Sequence, residues 1–191
     1  MNSNFNFTAP MQLRAPREGA LPSRFDGVAY SGAVIESMGV VIDLATTQVA
    51  DRLPLLSEHD RERIVGVIER TEKQGGRLLV AGRLFSDMPG GHAERLAELA
   101  KRGIMFQMSV GLYGYVEEFV PKGGVATVNS LAILGPVTVL RRGQVRECSF
   151  VTLGADANTS ARMFSDGKPQ PVISSRDIYR QRREQAKGNS Y

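Results

Sequence analysis

The apolar positions of the chain fall into short runs that are bounded by Gly, Pro, Asn or Asp. Most of these runs are too short for a helix and are rich in Val, Ile, Phe and Tyr, which is typical of strands. The pattern therefore predicts a mainly β domain made of many short strands. The runs are 27–35, 40–44, 53–56, 64–68, 78–85, 104–115, 125–128, 137–140 and 145–153.

One segment, HAERLAELAKRG at 92–103, follows a helical period instead. Its apolar residues recur at helical spacing, at Ala93, Leu96, Leu99 and Ala100. Lys101 and Arg102 fall in the last turn, where cations are favoured, and Gly103 stands where a helix is commonly capped. The spacing predicts a helix over these residues.

A second and weaker helix is predicted at 174–187, polar nearly all round and dependent on a partner. Short strands with one inserted helix indicate an α+β, mainly β fold. We expect a small antiparallel β-barrel, closed or partly open, with one or two flanking helices.

A chain of 191 residues suits one domain with tails. Hydrophobic residues make up 42% and charged residues 23%, values that argue against a disordered or fibrous chain. Prolines at 10, 16 and 22 with little periodicity predict a flexible leader. We therefore divide the chain into a leader at 1–24, a domain at 25–160 and a basic tail at 161–191.

The net charge of +4 collects near the end of the chain, where 174–191 holds five basic and two acidic residues. Such a segment can bind nucleic acid or an acidic protein surface, although solvated basic runs are commoner. The single cysteine excludes an internal disulfide. The sequence shows no signal peptide, membrane span, metal-ligand spacing or cofactor motif, so we expect an intracellular protein without a cofactor or metal.

Ser109 lies in the run IMFQMSVGLYG, whose residues at 104, 106, 108, 110 and 112 are all apolar. Because side chains alternate along a strand, Ser109 is predicted to face away from that apolar set. Gly111, the next residue on the same face, leaves room for a substrate. An ordinary serine on the open face of a strand is the simpler interpretation of this segment alone.

The chain has two histidines, His59 and His92. His59 lies between two apolar runs, where a turn is expected, and a neutral imidazole is the usual base for a serine hydroxyl. A solvated histidine in a charged turn is the alternative. His92, at the start of the predicted helix, has no visible partner.

A succession of short motifs resembles the prohead proteases of tailed phages, which are distant relatives of the herpesvirus assemblin proteases. The resemblance covers about 25–158, and its specificity comes from the order of the motifs. In order, they are Leu55-Leu56-x-x-His59-Asp60, Ile64-Val65-Gly66, the helix, Met108-Ser109-Val110-Gly111, Glu147-Cys148-Ser149-Phe150-Val151 and Ala155-Asp156-Ala157-Asn158.

The resemblance implies a β-barrel serine endopeptidase with Ser109 as nucleophile and His59 as general base. It also implies Glu147 as the acidic residue that orients the imidazole, with Asp156 left open as an alternative. Asp60 would point away from its neighbour His59 in an extended chain. The second histidine of the assemblins is missing after Ser109.

One residue inside the Glu147 motif and one turn before it are further candidates for a catalytic role. Cys148 is expected to be a buried thiol and not the nucleophile. The Arg141, Arg142 and Gly143 turn is a weak candidate for oxyanion donors, since it precedes Glu147, the reverse of the assemblin order.

By the same resemblance, the protein would work in the host cytoplasm inside the immature capsid. Its substrates would be the scaffold protein, the major capsid protein and the protease itself. The sequence leaves open a homo-oligomer. It also leaves two other functions: a catalytically silent capsid-assembly or scaffolding protein, and a small barrel that binds nucleic acid through its tail. The 7% aromatic content and the lack of Trp argue against nucleic-acid binding.

Overall fold

A computed structural model describes residues 21–165. This part of the chain contains thirteen strands and one helix, so the prediction of a mainly β fold is confirmed. In chain order the elements are β1 (Arg24–Tyr30), β2 (Val40–Ile42), β3 (Gln48–Val49), β4 (Leu53–Ser57), β5 (Asp60–Gln74), β6 (Arg77–Leu84), α1 (His92–Lys101), β7 (Gln107–Tyr113), β8 (Val116–Val120), β9 (Val125–Val128), β10 (Leu131–Leu134), β11 (Val137–Arg141), β12 (Gln144–Val151) and β13 (Ser160–Phe164).

The main sheet has eight strands, and β12 pairs with three of them. One edge of β12 pairs in parallel with β3 and then with β4, while its other edge pairs antiparallel with β7. From β4 the sheet continues through β5, β6 and β1 to β13, all antiparallel. Strands far apart in the sequence, such as β4 and β12, are therefore direct neighbours.

The sheet curls around one apolar core. Phe25 of β1 and Phe150 of β12 meet edge to face, with ring centroids 5.1 Å apart. Met108 of β7 packs close to Gly27 of β1, where a β-carbon would clash with the methionine sulfur. In the described residues no strand ladder closes the sheet into a barrel. Its two ends are joined by the Ala161 amide, which donates to the Phe106 carbonyl at 3.1 Å.

A smaller β unit packs beside this core. It consists of the three-stranded sheet β2-β11-β8 and the hairpin of β9 with β10. It has its own apolar cluster, formed by Val41, Val120, Val128, Ile133, Val137 and Val139.

The predicted helix is confirmed as α1. Its buried residues are Ala93, Leu96 and Ala97. Gly103 ends it with a φ of 93°, a left-handed conformation that suits glycine. The Gly103 amide donates to Ala100, and the Ile104 amide donates to Leu99, which together form a Schellman motif. Ile104 thereby belongs to the helix end and is exposed, so the apolar strand face predicted to start there starts instead at Phe106.

Other expectations need correction or lie outside the described residues. Strands β3, β8, β10 and β13 were not predicted. Strand β13 continues to Phe164 and pairs with β1, so the folded part extends past the boundary predicted at 160. The predicted helix at 174–187 lies outside the described residues, as do the first 20 residues of the leader and the tail beyond Ser165. In the described part, no helix is both long and apolar enough to cross a membrane.

Candidate active site

His59 lies at the tip of the β4–β5 hairpin, where the sequence predicted a turn. Ser57 pairs with Asp60, which leaves Glu58 and His59 as a two-residue loop. Their φ angles are 54° and 58°, as a type I′ hairpin turn requires at both central positions. Residues other than glycine adopt this conformation at a cost of about 1 kcal/mol or more each. Such strain persists only where surrounding contacts hold the turn.

Those contacts come from β12 and the residues after it. The Glu58 amide donates to the Phe150 carbonyl at 2.9 Å. The Glu58 carboxylate accepts from the amide and the hydroxyl of Thr152, at 2.7 and 2.9 Å. The His59 amide donates to the Ser149 hydroxyl at 3.1 Å. The turn that carries His59 is therefore fixed to the neighbouring strand.

The His59 ring is bonded to Glu147 of β12. Nδ1 of His59 lies 2.7 Å from Oε1 of Glu147. This hydrogen bond raises the pKa of His59 above its ordinary value, against the opposing effect of partial burial, and the charges of Glu147 and Glu58 add to the increase. Because an ionised carboxylate only accepts, Nδ1 carries the proton, and Nε2 of the neutral ring keeps a lone pair. That arrangement is the one a general base needs.

Glu147 is buried, whereas 42% of the His59 side chain is exposed. The carboxylate is therefore held inside the protein while the ring reaches the surface. A second oxygen of Glu147, Oε2, accepts a hydrogen bond from the Ser149 hydroxyl at 2.8 Å. Both carboxylate oxygens thus have a fixed partner.

Ser149 is a site residue that was not among the predicted ones. Its side chain is fully buried, and its hydroxyl lies 3.3 Å from Nδ1 of His59 as well as beside Glu147. One signal in the sequence could have identified it. Residues 147 and 149 are two apart in a strand, so a polar side chain at 149 shares the face of Glu147.

Ser109 lies directly opposite Ser149 in the antiparallel pair of β7 and β12. Directly opposed residues point to the same side of a sheet, with β-carbons about 4.5–5.5 Å apart. Ser109 is therefore on the face that carries Glu147 and Ser149, and β12 separates its strand from the β4–β5 hairpin that carries His59. Within residues 21–165, its hydroxyl has no hydrogen-bond partner. The structure brings the three predicted residues to one face but does not hydrogen-bond Ser109 to His59.

Gly111 has a different role from the one expected. It was predicted to leave space for a substrate, but it lies opposite Glu147, and a β-carbon there would overlap the Glu147 carboxylate. The space above Gly111 is thus filled by the carboxylate that holds His59.

The alternative acidic residues are bonded elsewhere. Asp156 is buried and accepts from the amide and hydroxyl of Ser31, at 2.8 and 3.0 Å, and from the Asn158 amide. Asp60 forms an ion pair with Arg63 at 2.9 Å. Neither is bonded to the His59 ring, so of the candidate carboxylates only Glu147 occupies that position.

Cys148 and His92 take no part in the cluster. Cys148 is fully buried on the core face of β12, and burial raises the pKa of its thiol. A thiol that resists ionisation inside the core is a poor nucleophile. His92 is the first residue of α1, with no partner in the described part of the chain.

The Arg141-Arg142-Gly143 turn, the weak candidate for oxyanion donors, is held by contacts to neighbouring segments. Arg142 donates its amide to the Thr46 hydroxyl at 3.1 Å, and the Gly143 carbonyl accepts from Gln48. The Arg141 side chain is paired with Asp43 and Glu118. The turn leads into the end of β12 that pairs with Tyr113, four residues along β7 from Ser109. These contacts give it a structural role.

A cleft lies beside β7, and its lining includes Ser109. Four residues of β7 line it and none of β12, so it follows the edge of β7 that β12 leaves unpaired. The other walls are mostly apolar, with Ile35, Met38, Ile42 and Leu140 among them.

Two cations stand at the far end of the Ser109 face. Arg61 donates to the Tyr113 hydroxyl at 3.2 Å, and the Arg146 guanidinium lies 5.6 Å from the centre of the Tyr113 ring. Both arginine side chains are exposed. The candidate site therefore has an apolar cleft on one side and a cationic rim on another.

Comparisons with known proteins add no family assignment: no protein-family model matches the chain, and no curated protein matches it.

Proposed function

We propose that the protein is a serine endopeptidase in which Ser109 is the nucleophile, His59 the general base and Glu147 the residue that orients the imidazole. The observation that carries the proposal is the 2.7 Å bond between His59 Nδ1 and buried Glu147, on the same sheet face as Ser109. A histidine oriented by a carboxylate is the base that activates a serine hydroxyl within its reach, and Ser109 is the half-buried serine on that face.

In the proposed reaction, Ser109 Oγ attacks the scissile carbonyl as its proton moves to Nε2 of His59. The tetrahedral intermediate collapses when His59 returns that proton to the leaving amine, and the C–N bond breaks. Water then attacks the acyl-enzyme, with His59 again as base, and releases the acid and free Ser109. Throughout, Glu147 keeps the Nδ1–H donor in place and stabilises the imidazolium.

The missing His59–Ser109 hydrogen bond is compatible with this reaction. Catalytic hydrogen bonds are often long in a free enzyme and tighten when substrate binds. The exposed part of the His59 ring and the half-buried Ser109 side chain lie on the same face, and the proposal requires a change in side-chain torsions that brings them within hydrogen-bonding distance.

The cleft beside β7 supports an extended peptide as substrate. An unpaired strand edge presents amide and carbonyl groups to which a peptide can add as a further strand. Alternate side chains of that peptide would enter the apolar cleft, while its backbone passes Ser109.

The biological role in this proposal comes from the resemblance to prohead proteases. On that basis the enzyme acts in the host cytoplasm inside the immature capsid, where it cleaves the scaffold protein, the major capsid protein and itself. We also propose that the fold is a partly open, herpesvirus-protease-like barrel. The curled sheet with α1 at its side supports this.

The proposal is tested with the full chain co-expressed with its own scaffold and capsid proteins. Ser109→Ala should abolish cleavage of both partners, and mass spectrometry of the new termini should find none. Ser160→Ala is the matched control, because Ser160 is also a partly buried strand serine but lies in β13. Normal processing by Ser109→Ala would end the proposal.

A catalytically silent capsid-assembly protein remains the second candidate. The serine that hydrogen-bonds the His59 ring is the buried Ser149 and not Ser109. A fluorophosphonate probe separates the two functions, since it labels serines that a base activates. Labelling of Ser109, located by peptide mapping, supports the peptidase. If the capsid assembles only when the protein is present, but Ser109 is not labelled and no partner is cleaved, the result supports the silent role.

A further inference from the structure

Ser149 is surrounded by the parts of the proposed catalytic apparatus. It is fully buried on β12, so it cannot reach a substrate. Its hydroxyl nevertheless contacts the carboxylate of Glu147, the ring of His59 and the backbone amide of His59. No other residue bonds to both His59 and Glu147 in the described part of the chain.

The hydrogen-bond directions follow from the groups involved. The His59 amide can only donate and the ionised carboxylate can only accept, so the Ser149 hydroxyl accepts from the first and donates to the second. Its single proton is thereby directed at Glu147 Oε2. The other oxygen of Glu147 is left for Nδ1–H of His59.

The position of Ser149 also links two separate structural features. The carboxylate is on β12 itself, while His59 is on a turn whose two residues have positive φ angles. One hydroxyl holds the backbone of that turn and the carboxylate that orients its ring. A displacement of about 1 Å in such a group can cost about 100-fold in rate.

We infer that Ser149 is a positioning residue, which acts through Glu147 to hold Nδ1–H of the His59 ring on the carboxylate and so leaves Nε2 to act as the base. This inference rests on the proposed function. It makes a specific claim about coupling: removing the Ser149 hydroxyl should slow the reaction much more while Glu147 is present to be positioned than when it is absent.

The test uses the full chain and a fluorophosphonate probe. Ser109 Oγ attacks phosphorus, the P–F bond breaks, fluoride leaves and the serine proton passes to His59. We expect Ser149→Ala to slow labelling of Ser109 by about 10- to 100-fold. In a Glu147→Ala background, which removes the carboxylate, the same substitution should slow labelling by a clearly smaller factor, a non-additivity diagnostic of coupled residues. Equal slowing in both backgrounds would overturn the inference.

Ser86→Ala is the matched control. Ser86 is also buried, and its hydroxyl donates to the Pro22 carbonyl at 2.6 Å, away from the site. The Ser86→Ala substitution removes a comparable buried hydrogen bond and should leave the labelling rate of Ser109 within about twofold of wild type. Ser149→Cys fills nearly the same volume with a weaker donor and serves if Ser149→Ala does not fold. Ser109 should also be labelled slowly in Ser149→Cys. Labelling of this variant at the wild-type rate would contradict the inference.

A second readout does not depend on activity. With ¹⁵N-labelled histidine, the Nδ1–H of His59 should give a protected proton resonance in the wild type and in Ser86→Ala. In Ser149→Ala that resonance should be lost to solvent exchange. If wild-type Ser109 is not labelled, the proposed peptidase fails, and this spectrum alone decides the positioning role. An unchanged His59 resonance in Ser149→Ala would refute it.

Discussion

Glu147 and Gly111 face each other across the β12–β7 pair, and the carboxylate occupies the space that a side chain at 111 would fill. The atoms that would clash belong to the outer part of the Glu147 side chain, which can rotate. A substitution at 111 would therefore act on the carboxylate more than on the backbone. The absence of a side chain at this position is what allows Glu147 to reach His59.

Gly111→Ala should consequently separate stability from activity. We expect the new methyl group to displace Glu147 from His59 and reduce the rate of Ser109 labelling by roughly 100-fold or more. Stability, measured by urea unfolding, should fall by only about 1–3 kcal/mol, the range for overpacking a site that can partly adjust.

The control is the same change in a Glu147→Ala background. With the carboxylate side chain removed, Gly111→Ala should have little further effect on labelling or on stability. If Gly111→Ala costs the same with and without Glu147, the opposed pair does not explain the glycine.

The Glu147 contact also predicts how the site depends on pH. The hydrogen bond to Glu147 raises the pKa of His59, and only neutral His59 can act as a base. The acid limb of the labelling rate should therefore lie above the ordinary histidine pKa of about 6.5. Glu147→Gln should move the His59 titration, followed by NMR of the ring protons, to lower pH. An unmoved titration would mean that Glu147 does not control the ring.

The raised pKa of His59 also predicts how the free energy of unfolding depends on pH. A group whose pKa is higher in the folded state binds its proton more tightly there. The contribution of the His59–Glu147 pair to stability is thus fully present below about pH 6.5 and is lost as the pH rises through the folded-state pKa. The difference in unfolding free energy between wild type and Glu147→Gln should shrink over that window.

Local sequence patterns were sufficient for several of these features. The two apolar runs around His59 predicted its turn, and alternation predicted that Ser109 faces away from Met108, which is buried. Gly103 and the spacing of apolar residues predicted α1. Each of these features depends on residues within about ten positions of one another. Over that distance, the spacing of apolar residues distinguishes a helix from a strand.

The rest depends on pairings between distant strands. That Ser109 lies opposite Ser149 follows from the register of β7 on β12, which is displaced by a bulge between Val145 and Glu147. A shift of one residue would place these side chains on opposite faces. Strand β13 was missed for a similar reason, since its residues are all partly buried and only its pairing with β1 identifies it.

The strained turn gives a final prediction, in which loss of function and stability diverge. His59→Ala and His59→Gly both remove the imidazole and should both abolish labelling of Ser109. They differ in the backbone, because His59 has a φ of 58°, which glycine adopts more easily than alanine. His59→Gly should therefore be more stable than His59→Ala by about 1 kcal/mol in urea unfolding. His92, the first residue of α1, is the matched control: its backbone is helical, so there alanine should be at least as stable as glycine. If alanine were the more stable residue at both histidine positions, the turn at His59 would not have the left-handed backbone that holds its ring beside Glu147.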